Sequence, residues 1–147
     1  MAGHMAALVV VGLVAASAVT AQTAVETVLV DGIPVHPAAY GFVYYSTLSP
    51  SDLALRDGSR AELWMFDGAG ADCVEAVGRS EAFPVYLVLR DGAPFGPLVA
   101  DSPGAVGQGA RLRVTLPRAG RYFLMVTSVG RGEALGAYVL DLDRCGA

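Results

Sequence analysis

Short bursts of alternating or continuous apolar residues run along this chain, each closed by turn-forming residues. Arg111-Leu112-Arg113-Val114-Thr115-Leu116 is the cleanest alternation, with every second side chain apolar, as in a strand with one face in water. Phe83 to Arg90 is largely apolar and stops at Asp91-Gly92, a tight-turn dipeptide. Similar runs are Ala24 to Val30 before Asp31-Gly32, Phe42 to Leu48, and Ala61 to Phe66 before Asp67-Gly68. Two more follow, Arg121 to Ser128 and Ala137 to Leu142. Pro34 and Pro37 break any long element after the first run, and Ala100 to Gly109 reads as a loop. Outside the N-terminal region no stretch sustains apolar positions at helical spacing. The pattern predicts an all-β chain, a single β-sandwich of about eight to nine short antiparallel strands in a jelly-roll-like arrangement.

Ala6 to Val19 is an almost unbroken apolar run, short for a bilayer span and right for the core of a signal peptide. It ends in small residues, Val19-Thr20-Ala21 before Gln22 or Ala16-Ser17-Ala18. Residues 1–21 are therefore expected to be a signal peptide, with an uncleaved anchor as the other reading, and residues 22–147 the β-domain. A membrane contact follows only if that segment is retained. Secreted, periplasmic or cell-surface residence in turn gives the cysteines a meaning. Cys73 and Cys145 are the whole complement, and an even count in an oxidising compartment predicts one disulfide, against two buried free thiols.

The net charge is −4, and all ten basic residues are arginines scattered along the chain. Nucleic acid needs a basic face to neutralise phosphates, and none is visible, so nucleic-acid binding is excluded as an expectation. The eighteen glycines and eight prolines are spread throughout, which marks many turns and no linker.

From Leu48 onward a series of motifs accumulates: Leu48-Ser49-Pro50-Ser51-Asp52, Asp57-Gly58-Ser59, Leu63-Trp64-Met65-Phe66, and Ser80-Glu81-Ala82-Phe83. Tyr86-Leu87-Val88-Leu89-Arg90-Asp91-Gly92 follows, then Leu116-Pro117-Arg118-Ala119-Gly120-Arg121-Tyr122 and Gly136-Ala137-Tyr138-Val139-Leu140. In this order and spacing they resemble the bacterial pre-peptidase C-terminal domain, over about two thirds of the chain to Leu142. The resemblance implies a secreted β-sandwich associated with extracellular peptidases. Some relatives bind calcium. The chain departs from them at Phe83-Pro84-Val85, where an aspartate often follows the phenylalanine, and at Ala100-Asp101-Ser102-Pro103-Gly104, where acidic residues often cluster.

Candidate chemistry is sparse. The only histidine of the predicted mature chain is His36, between Val35 and Pro37, which reads as a loop residue. No nucleophile elbow, phosphate loop or zinc-protease helix motif is present. Asp67 with Asp72, or Asp141 with Asp143, could be paired carboxylates, but solvated turns and strand edges account for them. Asp91 and Asp101 flank a hairpin-like loop and could offer oxygens to calcium, the one cofactor considered. Tyr40, Phe42, Tyr44 and Tyr45 form an aromatic cluster, with Phe42 and Tyr44 on one strand face and Tyr45 on the other. The expectation is a non-catalytic module that attaches to an extracellular polymer or protein surface. The alternatives are an assembly partner for a separate secreted peptidase, aided by an open edge near Ala24 to Val30, and a small hydrolase gathering Asp67, Asp72 or His36.

Overall fold

The structure, a computed structural model, describes residues 25–129 and 134–147. The predicted signal or anchor segment, residues 1–21, lies outside the described residues. Eleven strands form two sheets that face each other as a sandwich, and no helix occurs among the described residues. The first sheet has the order β1-β2-β5-β10-β7-β8, from Val28–Val30, Ile33–Pro37, Arg60–Gly68, Gly120–Ser128, Val85–Asp91 and Leu98–Pro103, with β4 (Leu53–Ala54) added on β5. The second has the order β3-β11-β6-β9, from Phe42–Leu48, Gly136–Arg144, Cys73–Arg79 and Ala110–Thr115.

Alternation within the strands explains the layering. In β5, Trp64 and Phe66 point into the core between the sheets, while Ala61 and Leu63 point the other way. In β10, Tyr122, Leu124 and Val126 face that core, and Phe123 and Met125 join Ala61, Leu63 and Val35 in a second apolar cluster. β5 and β10 are thus buried on both faces, as expected of the central pair of a sheet covered on each side. The facing sheet contributes Tyr138, Leu140 and Leu142 from β11 and Leu112 from β9.

Besides the strand number, eleven where eight to nine were expected, and the parallel pairing of β2 with β5 in place of an antiparallel one, four features differ from the sequence expectation. Ile33–Pro37 is a strand despite two prolines, because it meets β5 at only two positions and lies near the edge of the sheet. The Asp31-Gly32 turn that leads into it is where the sequence placed it, with both residues at positive φ, 51° and 77°, which suits the twist of a two-residue hairpin. The run from Ala24 yields only the short β1, Val28–Val30. Cys73–Arg79 is a full strand that the pattern did not reveal, and part of the expected Ala100–Gly109 loop is the edge strand β8.

Two cross-links tie the ends of elements together. Cys73 and Cys145 form a disulfide across 72 residues, beside the backbone bond from Cys145 N to Cys73 O. Tyr122, fully buried, turns its hydroxyl back to donate to the Arg118 carbonyl at 2.6 Å, which fixes the corner leading into β10.

Candidate binding surface

The outward side chains of the second sheet form one continuous surface. From β3 come Val43, Tyr45 and Thr47; from β11, Ala137, Val139 and Asp141; from β6, Val77 and Arg79. Strand register sets them in rows: Tyr45 opposite Val139 opposite Arg79, and Val43 opposite Asp141 opposite Val77. Such directly opposed side chains lie close enough to act as one contact patch. Together with the Ser80–Ala82 corner they bound a groove of about 920 Å³. Tyr45 is 73% exposed and Val43 47%, large apolar bodies that the fold leaves in water. Farther along the same face, Glu75 pairs with Arg111 at 2.9 Å and more loosely with Arg113 at 3.9 Å, giving the patch a charged border.

The four aromatic residues singled out from sequence divide between roles. Phe42 and Tyr44 share a face, with ring centroids 6.3 Å apart, and Tyr45 projects from the other face. Tyr44 turns inward against Trp64 at 4.8 Å and accepts the Ala39 amide at 2.8 Å. Tyr40 packs on Phe66 at 5.6 Å and under the Arg144 guanidinium at 5.1 Å. Its hydroxyl pKa is pushed up to about 12, first by burial and then by the nearby Asp72 carboxylate. Phe42 is 58% exposed at the start of the strand. Tyr45, with Phe42 at the strand end, is therefore the part of the cluster free to meet a ligand.

The acidic candidates are dispersed. Asp91 grips Arg118 through both carboxylate oxygens, at 2.8 and 2.9 Å. Asp101 stands opposite Val88 on β8 and accepts the Tyr86 hydroxyl. Asp67 pairs with Arg121 at 3.5 Å, and Asp72 accepts the Ala69 amide at 2.9 Å within its turn. Asp141 lies on the open face, and Asp143 accepts the Arg144 amide at 2.7 Å. Among the described residues, no group of three or more histidine, cysteine, aspartate or glutamate side chains is gathered to hold a metal.

A polar cluster between the sheets was not visible in the sequence. Glu62 of β5 accepts from His36 Nε2 at 2.6 Å, Ser46 Oγ at 2.6 Å and Tyr138 Oη at 2.9 Å. Trp64 Nε1 donates to Tyr138 Oη at 2.9 Å and completes the chain of bonds. Burial alone would raise the Glu62 pKa, but the three donors outweigh it and hold the carboxyl below its ordinary value. Burial would lower His36, yet Glu62 and the Glu26 carbonyl reverse that and its pKa is raised. Ser46 bonds to the carboxylate and not to the imidazole, so the base-to-nucleophile contact of a hydrolytic triad is not made. The cluster links β2, β3, β5 and β11. The only sequence signal was Glu62 on the same strand face as Trp64 and Phe66, where a buried strand would carry an apolar residue.

Comparison with known proteins gave no matching family model and no matching curated protein. Solved structures do match in fold. One is the pre-peptidase C-terminal domain of a collagenase from Bacillus anthracis, at 17% identity and a TM-score of 0.59, covering 76% of this chain and 96% of that one. Another is PliG of Aeromonas hydrophila, a periplasmic inhibitor of g-type lysozyme, at 11% identity and a TM-score of 0.53, covering 74% and 96%. The chain therefore has the β-sandwich fold of the pre-peptidase C-terminal domain, as the motifs from Leu48 onward implied.

Proposed function

We propose that this chain is a secreted, non-catalytic binding module that attaches to an extracellular polymer or protein surface through the open face of its second sheet. The observation that carries the reading is the contiguous patch of Val43, Tyr45, Val77 and Val139, with Tyr45 73% exposed, on the floor of a broad groove. An exposed aromatic on a rigid strand offers a large contact area at low entropic cost, the usual property of a binding hot spot. The disulfide favours an oxidising compartment. The two solved neighbours support a binding role in general terms, one being a domain of a peptidase and the other a protein that inhibits an enzyme. The test is co-sedimentation of residues 22–147 with collagen, chitin, cellulose and peptidoglycan, with calcium and with chelator. Retention by one polymer is the expected result; retention by none would overturn the polymer reading.

A second reading, a protein partner held by strand addition, has its own observation. Among the described residues no strand pairs with the outer edge of β3, a seven-residue strand without charge or proline. Open edges of this kind accept a further strand from another chain. The edge anticipated near Ala24 to Val30 is less suited, since β1 has only three residues.

A further inference from the structure

The imidazole of His36 is framed by acceptors. Nε2 lies 2.6 Å from Glu62 Oε2, and Nδ1 lies 2.9 Å from the Glu26 carbonyl oxygen. A carbonyl has no proton to give, and the other oxygen of Glu62 is already taken by Ser46 and Tyr138. A neutral imidazole carries one N–H and leaves one of these acceptors facing a lone pair; only the imidazolium donates to both. Thr27 Oγ1, 3.1 Å from Nδ1, is a hydroxyl that can rotate to suit either form.

The residues so joined belong to a weakly attached unit. The β1–β2 hairpin meets β5 at two register positions, His36 with Trp64 and Pro37 with Met65, and Pro37 has no N–H. One further backbone bond, Ala38 N to Met65 O at 2.8 Å, follows the ladder. On the same edge of β5 the other short ladder, from β4, stops at Ala61, so Glu62 and Leu63 fall between the two. Of the hairpin side chains Val35 is fully buried, in the second apolar cluster.

We propose that residues 25–37 form a proton-operated latch, in which the His36 imidazolium clasps the Glu26 backbone to Glu62 and its deprotonation frees the hairpin from β5. Release bares the β5 edge and the part of the second cluster that Val35 covers. The groups facing His36 are the Glu62 carboxylate from β5, the Trp64 ring at 4.7 Å from the same strand, and Asp52 from the turn before β4. From its own segment come the Glu26 carbonyl and Thr27 hydroxyl, and Ser46 and Tyr138 act through Glu62. Glu62, Asp52 and the Glu26 carbonyl all favour the charged ring, so the latch is closed below the ordinary histidine value of about 6.5 and opens as pH rises through the higher folded value.

The test is amide hydrogen exchange of the full chain at about pH 5.5 and pH 8.5, corrected for intrinsic rates, with imidazole nitrogen spectra alongside. Protection of residues 25–37 should fall about tenfold or more at the higher pH, and to a level well below that of β10, so that the hairpin opens without the core unfolding. Both ring nitrogens of His36 should be protonated at the lower pH, and His36→Gln should identify the signal, since the chain has two histidines. In that variant hairpin protection should be low at both values. Equal protection of residues 25–37 in the wild type at both pH values would overturn the proposal, and so would a neutral His36 ring at the lower pH. Both readouts are made on the wild type and stand even if the variant folds poorly.

Discussion

Glu62 is the centre of the polar contact between the two sheets. It sits 8% exposed on the inward face of β5, where an apolar side chain would cost nothing, and is tolerable because three donors converge on it. Tyr138 is the member that can be removed most cleanly. Tyr138→Phe deletes one donor to Glu62 and the acceptor of Trp64 Nε1, while leaving the ring in place. It should lower stability by about 1–3 kcal/mol in urea unfolding, the cost of stranding a buried donor. A loss within error would mean the cluster carries no weight. The residue scale is also where the sequence was least legible. His36 between Val35 and Pro37 read as a loop histidine, because nothing local reveals that Glu62, 26 residues on, lies within hydrogen-bond reach. Tyr138, by contrast, stood in a motif that the sequence did display, Gly136-Ala137-Tyr138-Val139-Leu140. Gly136 has φ 143°, and a Cβ there would come within 2.4 Å of the Ala82 Cβ, so the motif marks a close approach as well as a turn.

At the scale of elements, the disulfide clamps β6 to the end of β11, neighbours in the second sheet whose pairing runs up to Val74 with Arg144. Closing a loop of 72 residues restricts the unfolded chain by about 4 kcal/mol in the chain-entropy model. Reduction should lower the melting temperature and add two hydrogens to the intact mass, whereas two freely alkylated thiols in the native oxidised protein would contradict the bridge. The longer strands that the pattern revealed, β3, β5, β7, β9, β10 and β11, are those with long apolar runs or clean alternation. β6 escaped because its inward residues, Val74, Ala76 and Gly78, are small and its outward ones mix Glu75, Val77 and Arg79. Gly78 is small for a packing reason, since a Cβ there would lie 2.7 Å from Val85 Cγ1. Missing β6 also hid the candidate binding surface, because Val77 and Arg79 complete the rows that begin at Val43 and Tyr45.

For the whole molecule the paired shifts of His36 and Glu62 set a window of stability. The raised His36 contributes fully below its unfolded value of 6.5, and that contribution is lost as pH rises through the folded value. The lowered Glu62 contributes above its unfolded value of 4.5, and its share is lost as pH falls through the folded value. Asp52, raised first by burial, works against Glu62 on the acid side and flattens that limb. The melting temperature should therefore peak between about pH 4.5 and 6.5 and decline toward neutral and alkaline pH, where His36→Gln should show a flatter profile. A wild-type profile still rising from pH 6.5 to 8.5 would contradict this account of the pair.

The central claim is that the open face of the second sheet does the binding, and the opposite side of the sandwich supplies the control. Phe95 and Leu98, 54% and 56% exposed, line a smaller groove of about 430 Å³ bordered by Tyr86, Met125 and Val129. The most direct measurement is polymer retention of the wild type beside two double variants, Val43→Ser with Tyr45→Ser and Phe95→Ser with Leu98→Ser. The first should lose affinity about tenfold or more while the second binds as the wild type does. Undiminished retention by the first variant, with loss in the second, would contradict the assignment and move the binding surface to the other sheet.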